Sequence, residues 1–110
     1  MAVSEEYRSY VLDQLGEFGP VESRRMFGGV GIYCDRVMFA LIADDVLYLK
    51  VDDSNRDEFE QAGMGPFRPF ADKPTVMSYY EVPVDVLEDR DRLAQWSRRA
   101  LAVAERKVSK

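Results

Sequence analysis

In some stretches apolar and polar residues alternate, and in others apolar residues recur three and four apart. These two rhythms divide the chain. Tyr7, Val11, Leu12 and Leu15 follow helical spacing behind Ser4, whose hydroxyl suits an N-cap, and Glu5 and Glu6 sit well against the helix dipole. Gly16 suits the C-terminal cap of this helix, and Pro20 forbids its continuation. Val30 to Cys34 then reads as a strand and Asp35-Arg36 as a tight turn. Val37 to Ile42 is a strongly apolar strand, and Asp44-Asp45 a second turn. In Val46 to Val51 the residues Val46, Tyr48 and Lys50 alternate with Leu47, Leu49 and Val51. Turns this short impose an antiparallel meander, because a parallel crossover needs about a dozen residues.

Val21 to Phe27 reads as a short extended lead-in to that meander. After it, Ser54 with Asp57 resembles a capping box, and a short helix runs to about Ala62 with Phe59 and Ala62 on its buried side, before Gly63 stops it. Phe67 to Phe70 is predicted as a short strand, placed at an edge by Pro69. Thr75 to Val82 is predicted as a further strand, ended by Pro83. Val84 to Glu88 makes a helical turn. Asp89 or Asp91 caps a last helix, with Leu93, Trp96, Ala100 and Val103 on one face, whose end frays after Lys107. The expected order is α-β-β-β-α-β-β-α. That is an α+β fold of two layers, an antiparallel five-stranded sheet with helices against one face.

Composition narrows the function. The chain has 110 residues, 46% hydrophobic and 32% charged, which fits a single domain over residues 1–110. No apolar run approaches the ~18 residues of a membrane span, and the acidic start Ser4-Glu5-Glu6 does not resemble a signal peptide, so a cytoplasmic location without membrane contact is expected. There is no histidine, which removes Ser-His-Asp and Cys-His catalysis and the commonest metal ligand. The one cysteine, Cys34, cannot form an internal disulfide and reads as a packed or edge thiol. No cofactor or metal is implied. The net charge is −5 but uneven: residues 88–110 carry seven cations against four anions, so only the last helix is locally basic.

The most unusual stretch is Arg24-Arg25-Met26-Phe27-Gly28-Gly29, which joins paired cations, large apolar side chains and glycines. A glycine-rich segment with two arginines can cradle an anion. A phosphate loop, however, opens onto a helix with a Lys-Ser/Thr pair, whereas these glycines open onto a strand. The segment therefore reads first as a structural bend, with Arg24 and Arg25 left over as candidate recognition residues. Lys50 reads as a surface ion pair with Asp52 and Asp53. The pairs Asp44-Asp45 and Asp52-Asp53 read as turn residues. Tyr79 and Tyr80 alternate across a strand, one toward the helices and the other toward solvent or a partner. On the last helix, Arg98, Arg99, Arg106 and Lys107 are the candidate nucleic-acid contacts, against the plainer reading of a solvated basic helix end.

The run Arg24 to Gly29, with Gly31-Ile32-Tyr33, Phe39 to Ile42, Leu47 to Val51, Pro66-Phe67, Tyr79 to Pro83, Trp96 and Ala100, resembles the N-terminal domain of the TfoX/Sxy proteins, regulators of natural competence in bacteria. The resemblance covers nearly the whole chain. It implies a two-layer α+β domain similar to the secretion-chaperone-like fold, with no catalytic residues. It also implies that the C-terminal helical domain of the full-length regulators is absent, and that action is with a cyclic-AMP-dependent activator at promoters.

Three functions follow as expectations. The first is a non-enzymatic regulatory module acting by protein–protein contact with a transcription-related partner. The second is direct DNA binding through the basic last helix. The third is a small-molecule or anion site around Arg24 to Gly29. A homodimer through an edge strand near Phe67 to Phe70 or an apolar helix face is a further expectation.

Overall fold

A computed structural model describes residues 3–26, 28–67 and 78–108, without the side chains of Met26, Lys107 and Val108. The elements in chain order are α1 (Glu5–Gln14), a 3₁₀ turn (Leu15–Glu17), β1 (Glu22–Met26), β2 (Gly29–Cys34), β3 (Val37–Ala43), β4 (Val46–Lys50), α2 (Arg56–Gln61), β5 (Tyr79–Glu81), α3 (Val84–Leu87) and α4 (Arg90–Val108). The five strands form one antiparallel sheet in the order β1-β2-β3-β4-β5. The α+β class and the five antiparallel strands match the sequence expectation.

The strands are distributed along the chain differently from the expected order. Glu22–Met26, read as a lead-in, is a full strand paired with β2 from Glu22↔Tyr33 to Met26↔Gly29. Its charged residues disguise it, because an edge strand can leave polar side chains in water on both faces. Pro66 makes only an isolated bridge to Tyr80, where Phe67–Phe70 was expected as a strand, and residues 68–70 lie outside the described ones. The last strand is shorter than Thr75–Val82, spanning Tyr79–Glu81, and residues 75–77 also lie outside the description.

Both expected tight turns are present, and both hold non-glycine residues in the left-handed region: Asp35 (φ 51°) with Arg36 (φ 70°), and Asp44 (φ 52°) with Asp45 (φ 56°). Two-residue hairpins of this kind need positive φ at both central positions, which aspartate tolerates better than most residues. Asp45 also accepts a hydrogen bond from the Ser4 amide at 2.9 Å, tying the start of α1 to the β3–β4 turn.

One face of the sheet is covered by helices. Val30, Ile32, Ala40, Ile42, Leu47 and Leu49 lie on it, all almost fully buried, because the pairs Val30↔Ile42, Ile32↔Ala40, Ala40↔Leu49 and Ile42↔Leu47 put them on the same side. The register of β3 slips between Ile32↔Ala40 and Tyr33↔Met38, leaving Phe39 as an extra residue. This bulge frees Phe39 to turn inward, where its ring lies 5.0 Å from that of Phe18. Leu93, Trp96, Ala100 and Val103 of α4 are buried as expected, with α4 lying over β3 and β4. Val11 and Leu15 close the same core from the first helix.

The helix ends differ in detail from the sequence reading. Ser4 caps α1, its hydroxyl accepting from the Tyr7 amide at 3.1 Å, and Asp89 caps α4, accepting from the Asp91 and Arg92 amides at 3.1 and 3.2 Å. The left-handed glycine after α1 is Gly19 (φ 134°) and not Gly16, because the chain inserts a 3₁₀ turn before it bends. Ser54 does not cap α2. Asp52 folds back instead to accept from the Ser54 amide at 2.8 Å, and Asn55 holds the turn by donating to the Lys50 carbonyl at 3.1 Å. Phe59 is fully buried, whereas Ala62 is exposed, since α2 stops at Gln61.

Three groups join the end of α1 to the last helices. Gln14 is buried and donates to the Leu87 carbonyl at 2.9 Å, Arg90 donates to the Gln14 side-chain oxygen at 3.3 Å, and Arg90 reaches Asp13 at 2.6 Å.

Candidate recognition surface

Alternation along β1 decides where its two arginines go. Residues 22 and 24 share one face of the sheet, and 23 and 25 share the other. Arg25 therefore lies on the helix side, where it pairs with Glu5 of α1, and Arg8 donates to Ser23 at 3.2 Å on the same side. Arg24 lies on the outer face, 3.8 Å from Glu22 and 5.2 Å above the ring of Tyr33. The two cations are adjacent in sequence but separated by the thickness of the sheet, so they do not converge on one anion. Gly28 takes φ 79° in the hairpin and Gly29 opens β2. The Met26 side chain and all of Phe27 lie outside the description.

The outer face continues from Arg24 as a band of rings and cations. Tyr33 pairs with Met38, Leu41 with Tyr48, Tyr48 with Glu81, and Lys50 with Tyr79. The Lys50 ammonium sits 4.9 Å from the centre of the Tyr79 ring and donates to the Ser78 hydroxyl at 3.0 Å. This replaces the expected ion pair with Asp52 and Asp53, because Lys50 points to the outer face while Asp52 turns toward Ser54 and α4. The Tyr79 hydroxyl faces the Met38 carbonyl at 3.5 Å, a long contact, and the Tyr48 ring lies 4.8 Å from that of Phe67. Arg24, Tyr33, Tyr79 and Lys50 thus form a strip crossing the sheet from β1 to β5, with a cation stacked on a ring at each end.

Burial sets the titration of this strip. It pushes the Tyr79 phenol up to about 12, with the nearby Tyr33 adding to the shift, and it raises Tyr48 likewise, helped by Glu81. These phenols stay neutral at ordinary pH and act as hydrogen-bonding and stacking groups. Tyr79 and Tyr80 lie on opposite faces as alternation predicts. Neither is the freely exposed aromatic that the sequence suggested: Tyr79 is 6% exposed, and Tyr80 packs on the helix side, its ring 5.9 Å from Phe59.

Two of the candidate basic residues of α4, Arg99 and Arg106, are placed on the opposite side of the molecule, against acidic partners. Arg99 grips Glu58 of α2 with two bonds of 2.9 and 2.7 Å. Arg106 donates to Asp52 at 3.1 Å and to the Ser54 hydroxyl at 3.0 Å. Asp52 is held down at about 2, chiefly by the Ser54 hydroxyl and also by Arg106. Arg98 is exposed, and the Lys107 side chain lies outside the description.

Cys34 is half-buried, and burial, with Asp35 and Glu105 nearby, pushes its thiol up and away from the reactive thiolate. Among the described residues no group of three or more Cys, Asp or Glu is placed to hold a metal ion, and no helix is long and apolar enough to cross a membrane.

Sequence reasoning singled out Arg24 but missed Tyr33, Met38 and the stacking role of Lys50. The signal was present in the period-two spacing: once residues 22–26 are read as a strand, Arg24 falls on the face of Tyr33, Tyr48 and Lys50.

The family model for the TfoX N-terminal domain matches residues 13–104. An uncharacterized 12.7 kDa protein in the trpE 5′ region of Spirochaeta aurantia is 33% identical over 92 residues, covering 84% of this chain and 75% of that protein.

Proposed function

The chain belongs to the TfoX N-terminal domain family, and from that premise we propose that it is a non-enzymatic regulatory module working by protein–protein contact, linked to competence-type control of transcription. The observation that carries this reading over direct DNA binding is the pairing of two of the candidate arginines of α4 with carboxylates of the same chain. Arg99 and Arg106, which would otherwise meet phosphates, are held by Glu58 and Asp52. Redirecting them to a nucleic acid would strand two carboxylates beside a polyanion on a chain of net charge −5. The outer face at Arg24, Tyr33 and Lys50, with the buried Tyr79 ring supporting Lys50, supplies the contact surface in this reading. Its stacked cations and rings suit a partner presenting carboxylates beside apolar side chains.

The test has two arms. A fluorescently labelled duplex titrated with the chain at low salt is expected to give no anisotropy change. Cross-linked capture from bacterial lysate is expected to recover a transcription-related protein in stoichiometric amount, and Tyr33→Ser is expected to lose it. DNA binding that falls steeply with salt and vanishes in the Arg98→Glu/Arg99→Glu variant would overturn the proposal, as would the lack of any stoichiometric partner.

A further inference from the structure

The two edges of the sheet are unlike each other. Beyond β5, the segment Gly65–Phe67 fills the edge: the Phe67 amide donates to the Tyr79 carbonyl at 2.7 Å, and the Glu81 amide to the Gly65 carbonyl at 3.1 Å. At the other edge, β1 pairs with β2 on one side and has no second strand partner among the described residues. We propose that β1 is the docking edge for a second copy of this chain, the two β1 strands pairing antiparallel about Ser23 to make one continuous ten-stranded sheet.

The hydrogen-bonding phase of β1 follows from the β2–β3 hairpin. Cys34 and Val37 flank its two-residue turn, so they form a hydrogen-bonded pair. Alternation along β2 then points the backbone groups of residues 34, 32 and 30 toward β3, and those of 33, 31 and 29 toward β1. Their partners Glu22, Arg24 and Met26 are thereby bonded to β2. Ser23 and Arg25 are left with their N–H and C=O groups directed outward, a row unpaired among the described residues that a further strand can join.

The side chains choose among the registers. A two-fold axis normal to the sheet keeps both helical layers on the same side, and it must pass beside a residue of β1. Centred on Glu22, Arg24 or Arg25, it sets like charges against each other. Centred on Ser23, it sets Glu22 opposite Arg24 of the second copy, twice. Ser23 then exchanges both of its backbone bonds with Ser23 of the second copy, and each Glu22–Arg24 pair occupies a non-hydrogen-bonded site, where facing side chains approach most closely. Arg24 is already 3.8 Å from Glu22 in its own strand. The dimer therefore closes a ring of four alternating charges on the outer face. Arg25 stays on Glu5 of α1 and faces Val21 of the second copy. A five-residue strand makes a small interface, so the association is weak and salt-sensitive.

Sedimentation velocity of the whole chain, from about 10 µM to about 1 mM, tests this. The wild type is expected to dimerise at the upper end. Glu22→Arg and Arg24→Glu are each expected to remain monomeric, as is Ser23→Pro, which removes an outward N–H that no bond among the described residues uses. The double swap Glu22→Arg/Arg24→Glu restores the alternation and is expected to dimerise again. An equimolar mixture of the two single charge variants is expected to form a heterodimer, because every facing pair is then of opposite sign. Circular dichroism checks that each variant stays folded. A wild type that stays monomeric throughout would overturn the proposal and leave the edge to a strand of another protein. A dimer that persists in the single charge variants would place the interface elsewhere and overturn it equally.

Discussion

Phe59 is the sharpest point at which to test the packing. It is the only fully buried side chain of the six-residue α2, a length too short to hold its own shape in water. Its ring meets Trp96 of α4 edge-on at 4.7 Å and Tyr80 of β5 at 5.9 Å. Truncation to alanine removes the transfer free energy of a buried phenyl group and opens a cavity between two elements fixed by other contacts, a loss of about 4 kcal/mol within the ~3–5 typical of such changes. Domains of this class have ~5–15 kcal/mol in total, so the variant should remain folded but fragile. With an unfolding entropy of ~2.1 cal/mol/K per residue, the same loss lowers Tm by about 17 °C. Trp96 is the one tryptophan and is 7% exposed, so its fluorescence reports the transition directly in a urea titration. The expected result is a fall in midpoint with an unchanged slope. A loss below ~1.5 kcal/mol at unchanged slope would refute the reasoning, since it would mean that the core closes over the gap and that α2 is not anchored by this ring.

Three smaller changes probe other features. Ser97 is fully buried on α4 and its hydroxyl has no partner among the described residues, so Ser97→Ala should raise stability by about 1 kcal/mol in the same titration. Arg36 is exposed at φ 70°, where glycine is at ease, so Arg36→Gly should add about 0.5–1 kcal/mol, and a loss would contradict the turn geometry. Asp52 has a folded pKa of about 2 against 3.8 for the free side chain, so its contribution is present above pH 4 and is lost as pH falls through 2. The stability gap between wild type and Asp52→Asn, followed by thermal melts, should therefore be open at pH 7 and close toward pH 2. A gap independent of pH would assign the effect to shape instead of charge.

Much of the fold could be read from the chain because the central strands obey period two and their turns are too short for any other connection. The meander from Val30 to Lys50 and the buried face of α4 follow from that alone. β1 escaped because Glu22, Ser23, Arg24 and Arg25 carry none of the apolar alternation of a half-buried strand, and an edge position does not demand it. The same omission hid the divergence of Arg24 and Arg25, which looks like a cationic pair in one dimension and becomes two unrelated contacts once the strand is drawn. Gly16 and Ser54 were plausible caps by residue type, yet Gly19 and Asp52 took those roles. Local signals name the candidates for a cap, and the tertiary position of the next element selects among them. The partners of Arg99 and Arg106 lie 41 and 54 residues away, a distance over which no spacing rule carries information.

The position of α4 bears on how the chain is made. The sheet's inner face, with Val30, Ile32, Ala40, Ile42, Leu47 and Leu49, is assembled from residues that leave the ribosome early, while its main cover, α4, is synthesised after all five strands. Until Leu93, Trp96, Ala100 and Val103 emerge, a nascent hairpin array presents a continuous apolar surface, of the kind that holdase chaperones bind and that drives aggregation between neighbouring chains on one messenger. The Gln14–Leu87 and Asp13–Arg90 contacts cannot form before that moment either, so the first helix waits for the last. The rate of translation through residues 51–89 thus sets how long the sheet stays uncovered.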